Sequence, residues 1–538
     1  MLCGNCKDNS PCRKKFNLPQ TALLLLIILF SGFVIRNYSL NNNELILEGD
    51  EAIVGLMAKH ITQGKSNPVF VYGQDYMGSL EAYTAAVVFL VNGYSVKSLK
   101  YAPFVFSMLL IIAIFFLIKS YCGFYVSICA ALFAAVPPYL IVKWSLAPTG
   151  GHIENYFFSI VILYLIFKYI QTEKKFFLHL FALTSGFAFW VNPFSIFVFA
   201  GFAFYYFLLT PKTASQKISG YLFILLLFTI GSCPLTLYNI NHNFITFKKL
   251  AGFFLGISAG DYNSSSNIII TVIEKFTSML ILIIPGFFKL TGYLFESLGN
   301  YYFDSLIYML AIVWYCKQAY KKKDKFGYMM IIYIIIITLA MSISKRANRD
   351  RYLIIFFPAV IVSCSYILQN IINHGNYKKK IIFAVIVFLL FISNFAAIAA
   401  NDKKNEIKNF YVKINKTINF LQEKNIQYIF ADMYIAYPLS FLSEEKIIAS
   451  PAAGFYNEDR IPEYTEKVLG NNGNVFIFYD RFNSSRVLCS GLKNLGISFS
   501  FLKIDDFDII YGLTKPLDIS KIPLSLRFKS KLRLSKNK

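Results

Sequence analysis

Residues 44–81 read ELILEGDEAIVGLMAKHITQGKSNPVFVYGQDYMGSLE. The stretch holds six carboxylates: Glu44, Glu48, Asp50, Glu51, Asp75 and Glu81. Turn-formers punctuate it at Gly49, Gly64, Pro68, Gly73 and Gly78, and apolar segments flank it on both sides. A cluster of acids pressed against a membrane needs a reason, and the flanks establish the membrane.

Of 538 residues, 56% are apolar and only 15% charged, against about 25% charged in soluble domains. Mean hydropathy is +0.51. Apolar runs recur from residue 19 to residue 400, each near the ~20 residues that carry a helix across a ~30 Å hydrocarbon layer. The class is an all-α polytopic membrane bundle with roughly 11–13 transmembrane helices. The net charge of +23 sits largely in lysine clusters between apolar runs: Lys174 and Lys175, Lys212 and Lys217, Lys321 to Lys325, and Lys378 to Lys380. That is the positive-inside pattern, a topology signal that argues against nucleic-acid binding. Cys3, Cys6 and Cys12 lack a second ligand pair for a metal. Residues 1–17 read as a cytoplasmic tail, and the run from Leu18 as the first membrane helix, since no small-x-small cleavage site follows it.

The acidic first outer loop spans 38–80. Within it, Asp50 to Thr62 reads as an amphipathic helix, with Ile53, Met57 and Ile61 one turn apart. Such a helix is expected to lie in the interface plane with its apolar face on the membrane and Asp50 and Glu51 at its N-terminus. Strict alternation then fails. Three net crossings, not four, put Lys97 and Lys100 inside with Lys174, so one of 79–95, 101–118 and 122–142 falls short of crossing. On this reading SLAPTGGHIEN (145–155) shares a side with the acidic loop. Later spans fall at 176–191, 194–210, 218–240, 304–318, 327–344, 352–373 and 380–400, and 268–290 reads as peripheral or re-entrant. Trp144 and Trp190 read as interface anchors, and His60 as interfacial. The cluster KRANRDRY (345–352) breaks the charge rule, because its neighbours place it outside; four cations there ask for an anionic partner, phosphate or lipid headgroup.

The membrane module is expected over 18–401. Residues 402–538 turn polar. A helical pattern (Ile407, Phe410, Ile414, Ile418, Leu421) precedes short apolar runs YIFAD, KIIAS, VFIFY, SFSFLKI and DIIYG. Alternating helices and strands predict a small α/β domain, extracytoplasmic by the parity of the last span.

Carboxylates can serve as general bases or hold a divalent cation, and arginines can hold a phosphate leaving group. Residue types alone reach no further than a polar site on one face of a helical bundle. The order of parts, however, resembles the GT-C glycosyltransferases, in particular the protein O-mannosyltransferase and aminoarabinose transferase group (glycosyltransferase family 39-like). The matching pieces are GDEAIVGLMAKHI (49–61), YGQDYMGSLEAY (72–83), TGGHIEN (149–155) and RDRYLIIFFPAV (349–360).

The resemblance implies a multi-pass protein of the cell (inner or plasma) membrane. It would move a hexosyl or pentosyl group from a polyprenyl-phosphate donor to a lipid, protein or glycan acceptor on the extracytoplasmic face. It makes Asp50 the catalytic base and Glu51 its support; the competing role for Asp50 is a helix N-cap. Tyr72, Gln74 and Asp75 would line the donor sugar or acceptor, or simply form a turn before a helix; Glu81, close to the helix start, would bind substrate or be buried. His152 and Glu154 would bind sugar or ligate a divalent cation. A lysine and two prolines that some relatives carry near the second helix are replaced here by Met77-Gly78-Ser79. Donor-phosphate contacts therefore shift to the late basic segment: Arg349 and Arg351 first, with Arg346 and Tyr352 beside them. A saccharide flippase or transporter is the alternative from another class; it predicts ionisable residues inside the spans and internal repeats. An oligosaccharide ligase would share the donor chemistry.

Overall fold

The computed structural model describes residues 18–209, 213–255, 301–343, 355–451, 459–471, 474–481 and 484–515. The tail 1–17, the interval 256–300, the basic cluster 345–352 and the C-terminal 516–538 lie outside them.

Among the described residues, four helices are long and apolar enough to cross a membrane, starting at Pro19, Val96, His152 and Tyr377. Helix α1 spans Leu18–Asn42, and α2 is Gly49–Thr62. Helix α3 covers Leu80–Asn92, 13 residues, or about 20 Å at 1.5 Å per residue, too short for a ~30 Å layer. Helix α4 covers Val96–Tyr121, 26 residues, and crosses. It is α3 that stays on one side. Lys100 donates to Glu51 at 2.7 Å and Lys97 to Asn41 at 3.2 Å, so both lysines sit on the acid-loop face. The expectation that they lie on the opposite face is corrected: counting cations ignores that a cation can be held by a buried partner.

The chain returns through α5 (Phe124–Ala135) and α6 (Tyr139–Trp144), broken at Pro137-Pro138. Arg36, fully buried in α1, donates to the carbonyls of Ala134 and Ala135 at 3.1 and 3.0 Å. It thereby satisfies acceptors that the break would leave without helical partners. Helix α7 (His152–Thr172) then leaves the acid-loop face, and α8 (Lys175–Val191) comes back to it, where Val191 accepts the Gly78 N–H at 3.1 Å. Helices α9 (Ile196–Leu209) and α10 (Ala214–Gly231) continue the bundle; α11 (Cys233–Asn241) and α12 (Ile245–Leu255) follow, with an 81° bend between α10 and α11.

The opposite face is marked by Asp324, which accepts from Tyr121 at 2.6 Å and from the Phe326 N–H at 3.1 Å. It joins the end of α4 to the turn between α13 (Tyr301–Lys321) and α14 (Lys325–Ile343). Helices α15 (Phe357–His374) and α16 (Tyr377–Ala400) complete the described bundle. At its end the Lys403 N–H donates to the carbonyl of Asn42, so the last helix finishes beside the first, on the acid-loop face.

Helix α17 (Lys404–Glu423) opens the polar part, burying Ile407, Ile414, Ile418 and Leu421. All five short apolar runs become strands: β1 (Tyr428–Ala431), β2 (Ile448–Ser450), β3 (Phe476–Tyr479), β4 (Ser500–Ile504) and β5 (Phe507–Tyr511). The sheet order is β2-β1-β3-β5-β4, parallel among the first three and antiparallel beyond. Helix α17 and α18 (Met433–Leu442) cover one face; α19 (Pro462–Gly470) and α20 (Ser484–Asn494) cover the other.

Helix α2 corrects a second expectation. It does not lie on the membrane. Residues Glu51–Ala58 are buried almost completely. Ile53, Val54, Leu56 and Met57 share one core with Ala82 of α3, Leu99 of α4, and Met433, Tyr437 and Phe441 of α18. Burial of each such side chain is worth about 1.5–3 kcal/mol. At Gly55 a Cβ would stand 2.3 Å from the Phe441 ring, so only glycine admits the α18 contact. Apolar periodicity showed that the helix has a face to cover, not what covers it.

Candidate functional site

The first turn of α2 separates the two adjacent acids. Glu51 points inward: one oxygen binds Lys100 Nζ at 2.7 Å, and the other accepts the Glu48 N–H at 3.0 Å. Both partners of this ion pair are nearly sealed, with side chains 4% and 1% exposed. Loss of water pushes the Glu51 carboxyl up to about 7, with Lys100 pulling it back. Asp50, one residue earlier, is only half-buried. Glu51 thus fixes the helix start from a sealed position, while Asp50 stays half-exposed. Glu44 accepts from Tyr139 at 2.8 Å, and burial raises its carboxyl. Glu48 is exposed.

Residues 68–79 fold back as a narrow loop pinned to α8. Trp190 Nε1 donates to the Val69 carbonyl at 2.9 Å, and Ser79 Oγ to that of Pro68 at 2.6 Å. A Cβ at Gly78 would meet the Trp190 carbonyl oxygen at 2.5 Å. Trp190 and Trp144 are buried, 7% and 9% exposed, which corrects their reading as interface anchors. Within the loop, Tyr72 Oη lies 2.7 Å from Ser66 Oγ and 3.2 Å from His60 Nδ1. The Gly73 carbonyl next to Gln74 accepts from Arg460 at 3.0 Å. Asp75 binds Lys249 and the Tyr238 hydroxyl; burial raises its carboxyl, but these two partners hold it below its ordinary value. The described partners of this trio are therefore protein groups that tie α2, α11, α12 and the sheet domain together.

Glu81, His152 and Glu154 converge on the glycine pair 150–151. Glu81, 1% exposed, accepts the N–H groups of Gly150 at 2.7 Å and Gly151 at 3.3 Å. Both glycines have positive φ, +111° and +79°, a backbone that glycine adopts at little cost. Asn192 donates to both of their carbonyls, at 3.3 and 3.4 Å. Glu154 is fully buried and, among the described residues, neither of its oxygens has a hydrogen-bond partner; His152 sets its ring against Trp144, centroids 5.3 Å apart. Among the described residues no three His, Cys, Asp or Glu side chains come together as a metal site. Arg346, Arg349, Arg351 and Tyr352 lie outside the described residues.

Sequence reasoning missed Lys100, which it read as a topology marker, and Arg460, Tyr139 and Asn192. The signal for Lys100 was its place inside an apolar helix, where a lone cation calls for a named anion. It also misread His60. That side chain is buried, and its Nε2 lies 3.0 Å from Glu445, which also binds Lys59 at 2.8 Å and accepts from Tyr464 at 2.8 Å.

No family model and no curated relative matches the sequence. Solved structures do. ArnT from Cupriavidus metallidurans, bound to undecaprenyl phosphate, superposes with a TM-score of 0.58 at 12% identity, over 91% of this chain and 97% of that one. The oligosaccharyltransferase of Archaeoglobus fulgidus, in complex with Zn and sulfate, gives 0.53 at 12% identity, over 91% and 72%. The oligosaccharyltransferase AglB from Archaeoglobus fulgidus, in complex with an inhibitory peptide and a dolichol-phosphate, gives 0.51 at 12% identity, over 94% and 75%. The chain shares the many-helix fold of these solved structures and carries a small α/β domain at its C-terminal end.

Proposed function

We propose that the chain is an integral-membrane glycosyltransferase that takes a sugar from a polyprenyl-phosphate donor and passes it to an acceptor at the acid-loop face, which is the extracytoplasmic one. Asp50 is the base. Its carboxylate removes the proton from the acceptor hydroxyl or amine as that atom bonds to the anomeric carbon. The bond from that carbon to the phosphate oxygen breaks, the anomeric centre inverts, and polyprenyl phosphate leaves with the electron pair.

One observation carries this reading: of two adjacent carboxylates at a helix start, Glu51 is committed to Lys100 and Glu48, and Asp50 is not sealed with it. Two matched structures with this fold hold polyprenyl-type phosphates, undecaprenyl phosphate in one and dolichol-phosphate in the other. The assignment of Arg346, Arg349, Arg351 and Tyr352 to the donor phosphate, and of His152 and Glu154 to sugar contacts, rests on the sequence resemblance.

The test incubates membranes with labelled polyprenyl-phosphate sugars and follows label into product. Asp50→Asn should lower transfer by about 10²–10⁴-fold, the usual worth of a general base, with unchanged membrane insertion. Wild-type turnover in that variant would overturn the role of Asp50. Label that crosses the bilayer still attached to its lipid, with no transfer, would point to a flippase.

A further inference from the structure

Away from the acid-loop face, α5, α13, α15 and α16 leave a groove of about 760 Å³ between them. Phe133, Leu310, Val313, Trp314, Ile361 and Leu368 line it. Apart from the Ser365 hydroxyl midway along α15, its polar groups are gathered at one end: Lys317 and Asn370 both stand near the ends of their helices that face away from Asp50. Lys317 lies one turn before Lys321, next to the turn that Asp324 ties to the far end of α4. Lys322 is close by, over the Tyr366 ring of α15 at 5.4 Å. The groove therefore has an apolar body in the bilayer interior and a cationic mouth at the headgroup level opposite the proposed active site.

Its length narrows the occupant. Along α15 the lining runs from Val360 to Ile371, roughly 16 Å at 1.5 Å per residue. Half of a ~30 Å hydrocarbon core is about 15 Å. The groove is one leaflet deep. A polyprenyl tail of the undecaprenyl kind would overrun it, whereas an acyl chain of a lipid in that leaflet would fill it and bring its phosphate to Lys317.

We propose that this groove is a binding site for an anionic glycerophospholipid of the leaflet opposite the acid loop, one acyl chain lying between α5, α13 and α15 and the headgroup phosphate paired with Lys317. The apolar body gives retention and the lysine gives the preference for anionic over zwitterionic headgroups. The site is separate from the donor site, and the proposal stands whether or not the chain transfers sugar.

Native mass spectrometry of the full chain in mild detergent tests it. Phosphatidylglycerol, phosphatidylcholine and a polyprenyl phosphate are titrated in turn. The wild type should retain one phosphatidylglycerol in preference to phosphatidylcholine. Lys317→Ala should weaken phosphatidylglycerol about fivefold, one lysine's share of the attraction, and leave phosphatidylcholine unchanged. Ala311→Trp, which fills the groove, should remove the retained lipid; the exposed Lys317→Ala variant guards against misfolding of the filled one. Equal retention of the two phospholipids, an unaffected Ala311→Trp, or displacement of phosphatidylglycerol by polyprenyl phosphate would each overturn the assignment.

Discussion

Helix α2 carries a carboxylate partnership at each end, and the two behave oppositely. At its start Glu51 meets one cation, Lys100, in a nearly dry site, and its carboxyl is pushed up to about 7 by burial. At its finish Lys59 and His60 meet Glu445 of the sheet domain, whose side chain is 14% exposed. There burial again raises the carboxyl, but His60, Lys59 and Tyr464 together hold it well below the ordinary range. One cation and one backbone N–H in a dry place do not offset desolvation; three side-chain partners in a wetter place do. The first end is built to hold a geometry, the second to hold a charge.

Breaking the first end should have the largest effect. Lys100→Ala leaves Glu51 buried without its cation and should cost about 3–5 kcal/mol, read as a lowered unfolding midpoint in detergent. Replacing both partners by Met and Leu should restore most of that stability while still impairing transfer, because the start of α2 is then held by packing alone. Glu81→Gln comes next. It weakens the grip on the Gly150 and Gly151 N–H groups by about 1–2 kcal/mol, and should lower transfer severalfold without loss of the folded protein. Glu445→Gln should cost a similar or smaller amount, about 1 kcal/mol, seen as faster protease release of the sheet domain.

The smallest effect is the pH dependence, and the two ends give it opposite signs. The folded Glu51 holds its proton up to about 7, above its unfolded value of 4.5. The folded state therefore binds more protons in that window, and stability falls as pH rises through it. Glu51→Gln should flatten that slope. Glu445 is depressed, so its contribution is present above 4.5 and is lost as pH falls below. Glu445→Gln should flatten only the acid limb. Matching slopes in both variants would erase the contrast between the ends.

Much of the architecture was legible because it depends on local pattern. The β-rich runs at 428–432, 446–450, 475–479, 498–504 and 508–512 each coincide with a strand to within one or two residues. The parity of Lys174 and Lys175 asked for one short segment among 79–142, although the placement of Lys97 and Lys100 that went with it was wrong, and the Gly150 loop does sit beside Glu81 of the acidic stretch. What stayed hidden depends on long-range contact. The partner of Lys100 is 49 residues away, and that of His60 is 385. A residue such as Glu81 advertises its charge in sequence, yet its described bonds are to backbone N–H groups, which no side-chain motif records.

The docking of α18 on α2 also sets an order of events during synthesis. Thr62 leaves the ribosome roughly 370 residues before Met433. At ~5–20 residues per second that gap is roughly 20–70 s. Throughout it the side of α2 that later meets Phe441 has no protein cover from α18, and the bilayer surface is the apolar phase at hand. The core around α2 is therefore built in two stages, α3 and α4 first and the α18 face only when the sheet domain arrives.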